Sequence, residues 1–159
     1  MKSLTEQLSV YESHHQNLVN RYLHYIGVPA TVFSIFMALN WMSIDIAHQY
    51  KIPFTWILLF SVLGYYFALN MRLAALCTVV FSAVAIIATD VAKPSPTNVS
   101  ATLFFILFFS GLTLQFVGHY FEKQKPAFLL GFMQLFIGPL FLIVELLKKL
   151  NVEQYFLSE

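Results

Sequence analysis

The chain has 159 residues, of which 58% are hydrophobic and 11% are charged, with a formal net charge of +1. A soluble domain is about one quarter charged, so this composition predicts a protein whose exterior lies largely in lipid. Phosphate binding needs clustered Lys and Arg, which the chain lacks, so nucleic acid is excluded as a partner. The single Cys77 lies in an apolar run, and we expect it to be buried and unreactive.

The N-terminal segment, residues 1–26, is predicted to be a helix that lies at the membrane interface. Ser3 or Thr5 can cap this helix, and Glu6 suits its first turn. Apolar residues recur at helical spacing but are mixed with His and Asn, which favours an interfacial position over a membrane span. Gly27 and Pro29 are expected to end the helix, with Pro29 opening the next one.

Four apolar runs approach the roughly 20-residue length that a helix needs to cross a bilayer, although the second is short. In lipid these runs must be helices, because a strand would leave backbone groups unpaired. The predicted spans are Ala30–Ala47, Pro53–Leu69, Leu73–Val91 and Ser100–Phe116. We therefore predict an all-α integral membrane bundle that forms a single domain over residues 1–159, with hydrophobic helices in 27–147 and a polar tail at 148–159.

The last apolar stretch, Phe128–Leu147, has Gly138 and Pro139 at its middle, where proline kinks or breaks a helix. A straight fifth span would divide the basic residues five to four between the two sides of the membrane. A chain that turns back at this pair divides them seven to two, as the positive-inside rule requires. We therefore predict four spans plus a re-entrant hairpin, in a bacterial inner membrane or an ER membrane, with both termini and the histidine side cytoplasmic.

Four of the five histidines can meet on one side of the membrane. His14, His15 and His24 precede the first predicted span. His119 follows the fourth, so an even number of crossings puts it on the same side, whereas His48 lies on the other side. Neutral imidazole is the commonest protein ligand for iron, zinc and copper. We expect His14 to be the bystander of the group.

His15 and His24 are nine residues apart, so an unbroken helix would put them on opposite faces. They can share a metal only if the helix breaks between them or if a second element reaches around. Asn17 and Asn20 are candidate positions for a break, since Asn hydrogen-bonds to its own backbone. Without a break, both amides fall on the face of His24 and could orient its imidazole.

The end of the fourth span carries a polar and small-residue stripe, Gln115, Gly118, His119 and Glu122. Gly118 would let another backbone approach closely, and Glu122 could share an ion with His119. A re-entrant chain would bring Glu145, an ionisable residue inside an apolar stretch, to the same side. The candidate catalytic groups are Glu122, Glu145 and Asn20, and the candidate supporting groups are Asn17, Asn20 and Gln115. Alternatively, the two glutamates are solvated charges beside neighbouring lysines.

Three groups of residues resemble the small membrane 2-hydroxy fatty acid dioxygenases, in the same order along the chain. The first group is Y-x-x-x-H-x-N-x-x-N-x-x-x-H-x-x-G-V-P, which begins at Tyr11 and ends at Pro29. The second is Q-F-V-G-H at Gln115–His119, followed by E-K-x-x-P-A at Glu122–Ala127. The third is P-x-x-x-x-x-E at Pro139 and Glu145. The similarity covers about Tyr11–Leu150, whereas nucleophile-elbow, Walker, CxxC and HExxH motifs are missing.

The resemblance implies alpha-oxidation that depends on Fe²⁺, with O₂ as co-substrate, in which a 2-hydroxy fatty acid loses one carbon. It assigns iron binding to His15, His24 and His119 and leaves His14 outside the pattern. Three neutral histidines on one side of an iron leave open positions, where the hydroxyl and carboxylate of a substrate can chelate.

The expected partners are the 2-hydroxy fatty acid and membrane lipid, with the acyl tail among the Phe- and Leu-rich spans. Arg21, Lys123 or Lys125 could attract the carboxylate at the cytoplasmic edge. An alternative from a different class is a non-enzymatic membrane protein that binds lipid or a haem through its histidines. A haem held by two histidines would need them on opposite sides of the site.

Overall fold

A computed structural model describes residues 3–46, 50–123, 125 and 133–157. Within these residues the chain forms seven helices and one two-stranded sheet. The helices are α1 (Leu4–Ser13), α2 (Leu18–Asn40), α3 (Phe54–Leu69), α4 (Met71–Ala92), α5 (Asn98–Glu122), α6 (Met133–Lys149) and α7 (Glu153–Leu157). The strands β1 (Ser43–Ile46) and β2 (Tyr50–Pro53) pair antiparallel between α2 and α3.

Three helices, α2, α4 and α5, are long and apolar enough to cross a membrane. The second predicted span corresponds to α3, which is apolar but has 16 residues. A helix of that length rises ~24 Å, against roughly 30 Å for a bilayer hydrocarbon core. The predicted apolar, mostly helical architecture is confirmed, with three candidate spans by length in the described residues.

Two helices replace the single interfacial helix predicted over residues 1–26. The first, α1, begins after Ser3, which forms a reciprocal capping box with Glu6. The second, α2, begins after Asn17, whose side-chain oxygen accepts a backbone N–H of the first turn at 2.8 Å. The chain therefore breaks at one of the two asparagines proposed for a break, because the Asn17 side chain satisfies a free donor at the new helix start.

The predicted helix end at Gly27 and Pro29 is wrong, because α2 continues through both residues. A Cβ on Gly27 would lie 2.8 Å from the carbonyl oxygen of Gly111 in α5. A Cβ on Gly111 would lie 2.5 Å from Thr31 Oγ1 in α2. The two glycines let α2 and α5 pack backbone to backbone, and this packing outweighs the local tendency of glycine and proline to end a helix. The first candidate span therefore begins at Leu18, well before its predicted start at Ala30.

The hairpin of β1 and β2 was not expected in an all-α chain. Its apolar side chains share one exposed face: Ile44, Ile46, Tyr50 and Ile52. Asp45 and Lys51 pair on the other face, with their charged groups 3.8 Å apart. The alternation of apolar and charged side chains has the two-residue period of a strand. Because this strand follows α2, the first span ends at Asn40 and not at the predicted Ala47. His48, predicted on this side, lies outside the described residues.

Helix α6 lies across the histidine end of the bundle. Near its start, a backbone carbonyl accepts a hydrogen bond from the Tyr66 hydroxyl at the end of α3. Near its end, Glu145 forms an ion pair with Arg21 at the start of α2. Because α2 and α3 run in opposite directions, these two positions lie at the same end of the spanning helices.

The predicted turn at Gly138 and Pro139 is wrong, because α6 is helical through both residues. Gly138 faces α1, where its ideal Cβ would lie 3.0 Å from the Tyr11 hydroxyl oxygen, so this glycine serves packing and not a turn. Glu145 nevertheless lies on the histidine side, as predicted. The first half of the first arm of the predicted hairpin, residues 128–132, lies outside the described residues.

Candidate metal centre

Three buried histidines converge where α1, α2 and α5 meet. His15 lies in the junction between α1 and α2, His24 lies in the second turn of α2, and His119 lies in the last turn of α5. One ligand nitrogen from each lies within 4.8 Å of the others. The ring centroids are 4.5 to 4.9 Å apart. This spacing allows the three imidazoles to contact a single ion.

The break between α1 and α2 makes this convergence possible. His15 follows the last turn of α1, where its backbone N–H donates to the Glu12 carbonyl at 3.0 Å. The helix is interrupted between Ser13 and Leu18, so His15 and His24 face each other despite their nine-residue separation. His14 is not in the group of possible metal ligands among the described residues, and its Nδ1 bonds to the Val10 carbonyl at 2.9 Å.

Backbone carbonyls orient two of the three imidazoles. His15 Nδ1 donates to the Tyr11 carbonyl at 2.8 Å, and His24 Nδ1 donates to the Asn20 carbonyl at 2.9 Å. Each Nδ1 therefore carries the proton, and each Nε2 keeps its lone pair for a ligand. Burial of the ring lowers the pKa of His15 to about 3, so this imidazole is neutral at physiological pH.

Two of the imidazole nitrogens are buried without a hydrogen-bond partner in the described residues. They are His15 Nε2 and His119 Nδ1. A buried polar atom left unpaired costs about 1–3 kcal/mol, which calls for a ligand at the site. Three imidazoles whose ligand nitrogens lie within 4.8 Å of one another fit a divalent transition metal.

Aromatic rings close one side of the group. The Tyr11 ring stacks on His15 with centroids 4.1 Å apart and planes 6° apart. Phe141 of α6 packs against Tyr11, with centroids 4.8 Å apart. Burial also raises the pKa of the Tyr11 hydroxyl, so it remains a proton donor. The sequence placed Tyr11 in an apolar stripe, and its position one helical turn before His15 was the signal for a role at the site.

Glu122, at the end of α5, holds the junction between α1 and α2. Its carboxylate accepts the backbone N–H groups of Gln16 and Asn17, each at 2.9 Å, and the Asn20 side-chain N–H at 3.0 Å. The two backbone donors precede the first turn of α2, where negative charge is favourable. Among the described residues, the group of possible metal ligands leaves out Glu122, so the geometry favours a positioning role.

The supporting amides lie around His24. Asn20 orients the imidazole through its backbone carbonyl, and its side chain donates to the His14 carbonyl at 3.2 Å as well as to Glu122. Asn17 caps α2, and among the described residues it forms no hydrogen bond with a histidine ring. A Cβ on Gly118 would overlap Asn20 Oδ1 and lie 3.2 Å from His24 Nδ1, so this glycine lets α2 and α5 approach as predicted.

Glu145, predicted as a candidate catalytic group, lies in a buried polar cluster outside the three histidines. Both of its carboxylate oxygens accept from the Arg21 guanidinium, and one also accepts from the Tyr25 hydroxyl. Lys149 lies over the Tyr25 ring, 4.1 Å from the centroid. This cluster fixes α6 to α2. The Arg21 guanidinium, which was expected to attract a substrate carboxylate, is instead paired with Glu145.

A cavity of about 290 Å³ opens beside the histidines. It follows α2 from His24 to Phe36, and α3, α4 and α6 complete its walls. Its described lining contains no Asp, Glu, Lys or Arg. Gln115 contributes to the wall, where its Nε2 donates to Thr31 Oγ1 at 2.9 Å, and it forms no hydrogen bond with a histidine. An apolar tail next to a polar centre is the ligand shape that this cavity suits.

The fold and the site together define an apolar helical protein with candidate membrane spans and a buried three-histidine group at the head of an apolar cavity. The sequence profile described as "2-hydroxy-palmitic acid dioxygenase Mpo1-like" matches residues 1–150. The chain therefore belongs to the Mpo1-like family, as the resemblance of its motifs predicted. It matches no curated protein and no solved structure.

Proposed function

We propose that the protein is an iron-dependent dioxygenase of the membrane that shortens 2-hydroxy fatty acids by one carbon. The observation that carries this proposal is the group of three buried histidines at the head of an apolar cavity. Membership of the Mpo1-like family supports the same substrate class.

The iron would be held by His15, His24 and His119. When bound, Fe²⁺ supplies the redox chemistry with O₂ that imidazoles lack. The chain contributes the rest: backbone carbonyls fix the rings of His15 and His24, and Glu122 fixes the junction that carries His15. Tyr11 and Phe141 cover the His15 side of the centre and exclude water from it.

The cavity would take the acyl tail. From His24 to Phe36, α2 advances twelve residues, or ~18 Å along its axis. An extended acyl chain advances about 1.3 Å per carbon, given C–C bonds of about 1.5 Å, so the cavity accommodates ~14 carbons beyond the head group. Burial of each methylene contributes about 0.8 kcal/mol, so the tail supplies most of the binding free energy.

In the membrane, we propose that α2, α3, α4 and α5 all span, with α6 lying at one surface. The described basic residues divide between the two ends of these helices. At the histidine end lie Arg21, Arg72, Lys123, Lys125, Lys148 and Lys149, and at the hairpin end lie Lys51 and Lys93. The positive-inside rule then places the histidine end in the cytoplasm.

The alternative of a haem between two histidines receives no support from the geometry. Centroids 4.5 to 4.9 Å apart leave no room for a flat macrocycle between any two of the rings. A lipid-binding protein without chemistry remains the competing function, because the cavity alone would suit an acyl chain.

Turnover of a 2-hydroxy fatty acid tests the proposal. The purified protein, loaded with Fe²⁺ without oxygen, should consume O₂ and form the acid one carbon shorter when both substrates are added. The variant His24→Ala should lose more than about 100-fold in turnover, whereas His14→Ala, with an equivalent change outside the group, should keep it. A folded wild-type protein that binds iron but never shortens the acid would refute the proposal.

A further inference from the structure

Gln134, in the first turn of α6, carries a buried carboxamide. Gln134 is 8% exposed and lines the cavity. Its Oε1 has no hydrogen-bond partner within the described part of the chain. By contrast Gln7, which is equally buried, accepts a hydrogen bond from the Tyr65 hydroxyl at 2.6 Å. Buried side-chain amides are normally paired, so the exception at Gln134 points to a ligand that completes it.

Gln134 lies at the histidine end of the cavity. It precedes Gly138 by one helical turn, so the two residues share a face of α6. Gly138 faces the Tyr11 hydroxyl, and the Tyr11 ring stacks on His15. The carboxamide therefore lies in the part of the cavity that Tyr11 and His15 also line, whereas the other end of the cavity lies toward Phe36.

The head of the ligand must be recognised by neutral side chains. No described cation lines the cavity, and the guanidinium of Arg21 is paired with Glu145. Besides the histidines, the neutral polar residues that line the cavity are Tyr11, Thr31, Tyr66, Gln115 and Gln134. The Tyr66 hydroxyl already donates to the Phe136 carbonyl. The Gln115 Nε2 already donates to Thr31 Oγ1 and to the Gly111 carbonyl, whereas the Gln134 Oε1 has no partner among the described residues.

We propose that Gln134 recognises the 2-hydroxy acid head group and selects it over an unsubstituted fatty acid. The Oε1 atom accepts the 2-hydroxyl proton, and Nε2 donates to a carboxylate oxygen. A primary amide presents an acceptor and a donor side by side, and a 2-hydroxy carboxylate presents the complementary donor and acceptor. An unsubstituted acid leaves Oε1 unpaired, and a site built for a hydroxyl discriminates against an analogue that lacks it. This inference rests on the proposed function.

The test compares two variants. Gln134→Met keeps the length of the side chain but removes its amide, and Gln7→Leu removes a hydrogen-bonded carboxamide that lies away from the cavity. Melting temperatures of the iron-loaded protein are measured without oxygen, alone and with 2-hydroxypalmitic or palmitic acid. For Q134M we expect the ligand-free melting temperature to rise by about 2–4 °C, because an unpaired buried group is removed. We also expect a roughly tenfold weaker affinity for the 2-hydroxy acid, which then binds no better than palmitic acid.

For Q7L we expect a lower ligand-free melting temperature and an unchanged preference for the 2-hydroxy acid. Should Q134M fail to fold, Q134E serves instead, since it keeps the shape but replaces the donor by a carboxylate that repels the ligand carboxylate. In turnover assays either Gln134 variant should raise KM more than it lowers kcat.

Two outcomes would overturn the inference. One is a Gln134 variant that retains the wild-type preference for the 2-hydroxy acid. The other is a wild-type protein that binds both acids equally well. Wild-type turnover of the 2-hydroxy acid in either case would leave the proposed function standing, whereas failure of turnover in the wild type would refute that function itself.

Discussion

At the scale of single residues, the site depends on the missing side chain of Gly118. This glycine lies one residue before His119, and it contacts α2 between Asn20 and His24. The Asn20 side chain cannot swing away freely, because it is held by Glu122 and by the His14 carbonyl. A methyl group at this position must therefore separate α2 from α5, and with them two of the three histidines.

We predict that Gly118→Ala lowers the iron affinity at least about tenfold and lowers the melting temperature, although alanine is the better helix former by about 1 kcal/mol. The matched control is Gly64→Ala in α3, where nothing lies within 4 Å of the added Cβ. The control should keep its iron and melt no lower than the wild type. Metal titration and thermal denaturation of both variants check this, and wild-type iron affinity in G118A would contradict it.

The residues that converge could be predicted from the sequence, but the role of Glu122 could not. His15, His24 and His119 could be predicted from the side of the membrane on which each lies and from the motifs that contain them. Both can be read from the order of residues along the chain. Glu122 contacts backbone N–H groups that become free only because α2 starts at Asn17, over a hundred positions earlier. A hydrogen bond between a side chain and a distant helix start leaves no periodic signal in the sequence.

At the scale of elements, the Arg21–Glu145 pair fixes α6 against α2. The carboxylate is 2% exposed and the guanidinium side chain 27% exposed. Removing one partner from a buried pair leaves an unpaired charge, whereas replacing both by apolar groups is often neutral. The pair therefore has the character of a structural connection between two elements, and Tyr25 adds a third group to it.

We predict that Glu145→Leu lowers the free energy of unfolding by about 2–3 kcal/mol, below the value for a fully buried pair because Arg21 is partly exposed. The double variant Arg21→Met with Glu145→Leu should recover most of this loss and retain turnover. The coupling free energy between the two residues is obtained from denaturant unfolding in detergent. The wild type, both single variants and the double variant are compared. A stable double variant without turnover would instead return Glu145 to the catalytic groups.

Helix continuity was the least predictable feature of the elements. The break at Asn17 was among the expected positions, because asparagine satisfies a free helix N-terminus. Gly27 with Pro29 and Gly138 with Pro139 carry the usual signals of a helix end, yet α2 and α6 continue through them. In both cases the glycine provides close approach to another element, a contact that depends on tertiary packing and not on local sequence.

At the scale of the whole molecule, α6 completes the site at one end of the helical bundle. It contacts α3 near its start and α2 near its end, and it supplies part of the cavity wall. Composition and hydropathy predicted the apolar helices. They could not predict this transverse helix or the cavity beneath it, because both arise from contacts between segments far apart in the chain.

The central claim, that the three histidines form one iron site, is tested most directly by the iron content of the purified protein. Elemental analysis should be made on wild type, His119→Ala and His14→Ala, all expressed with iron and handled without oxygen. The account predicts about one iron per chain in the wild type and in H14A, and its loss in H119A. Folded wild-type protein without stoichiometric iron, or H119A that keeps its iron, would contradict the account.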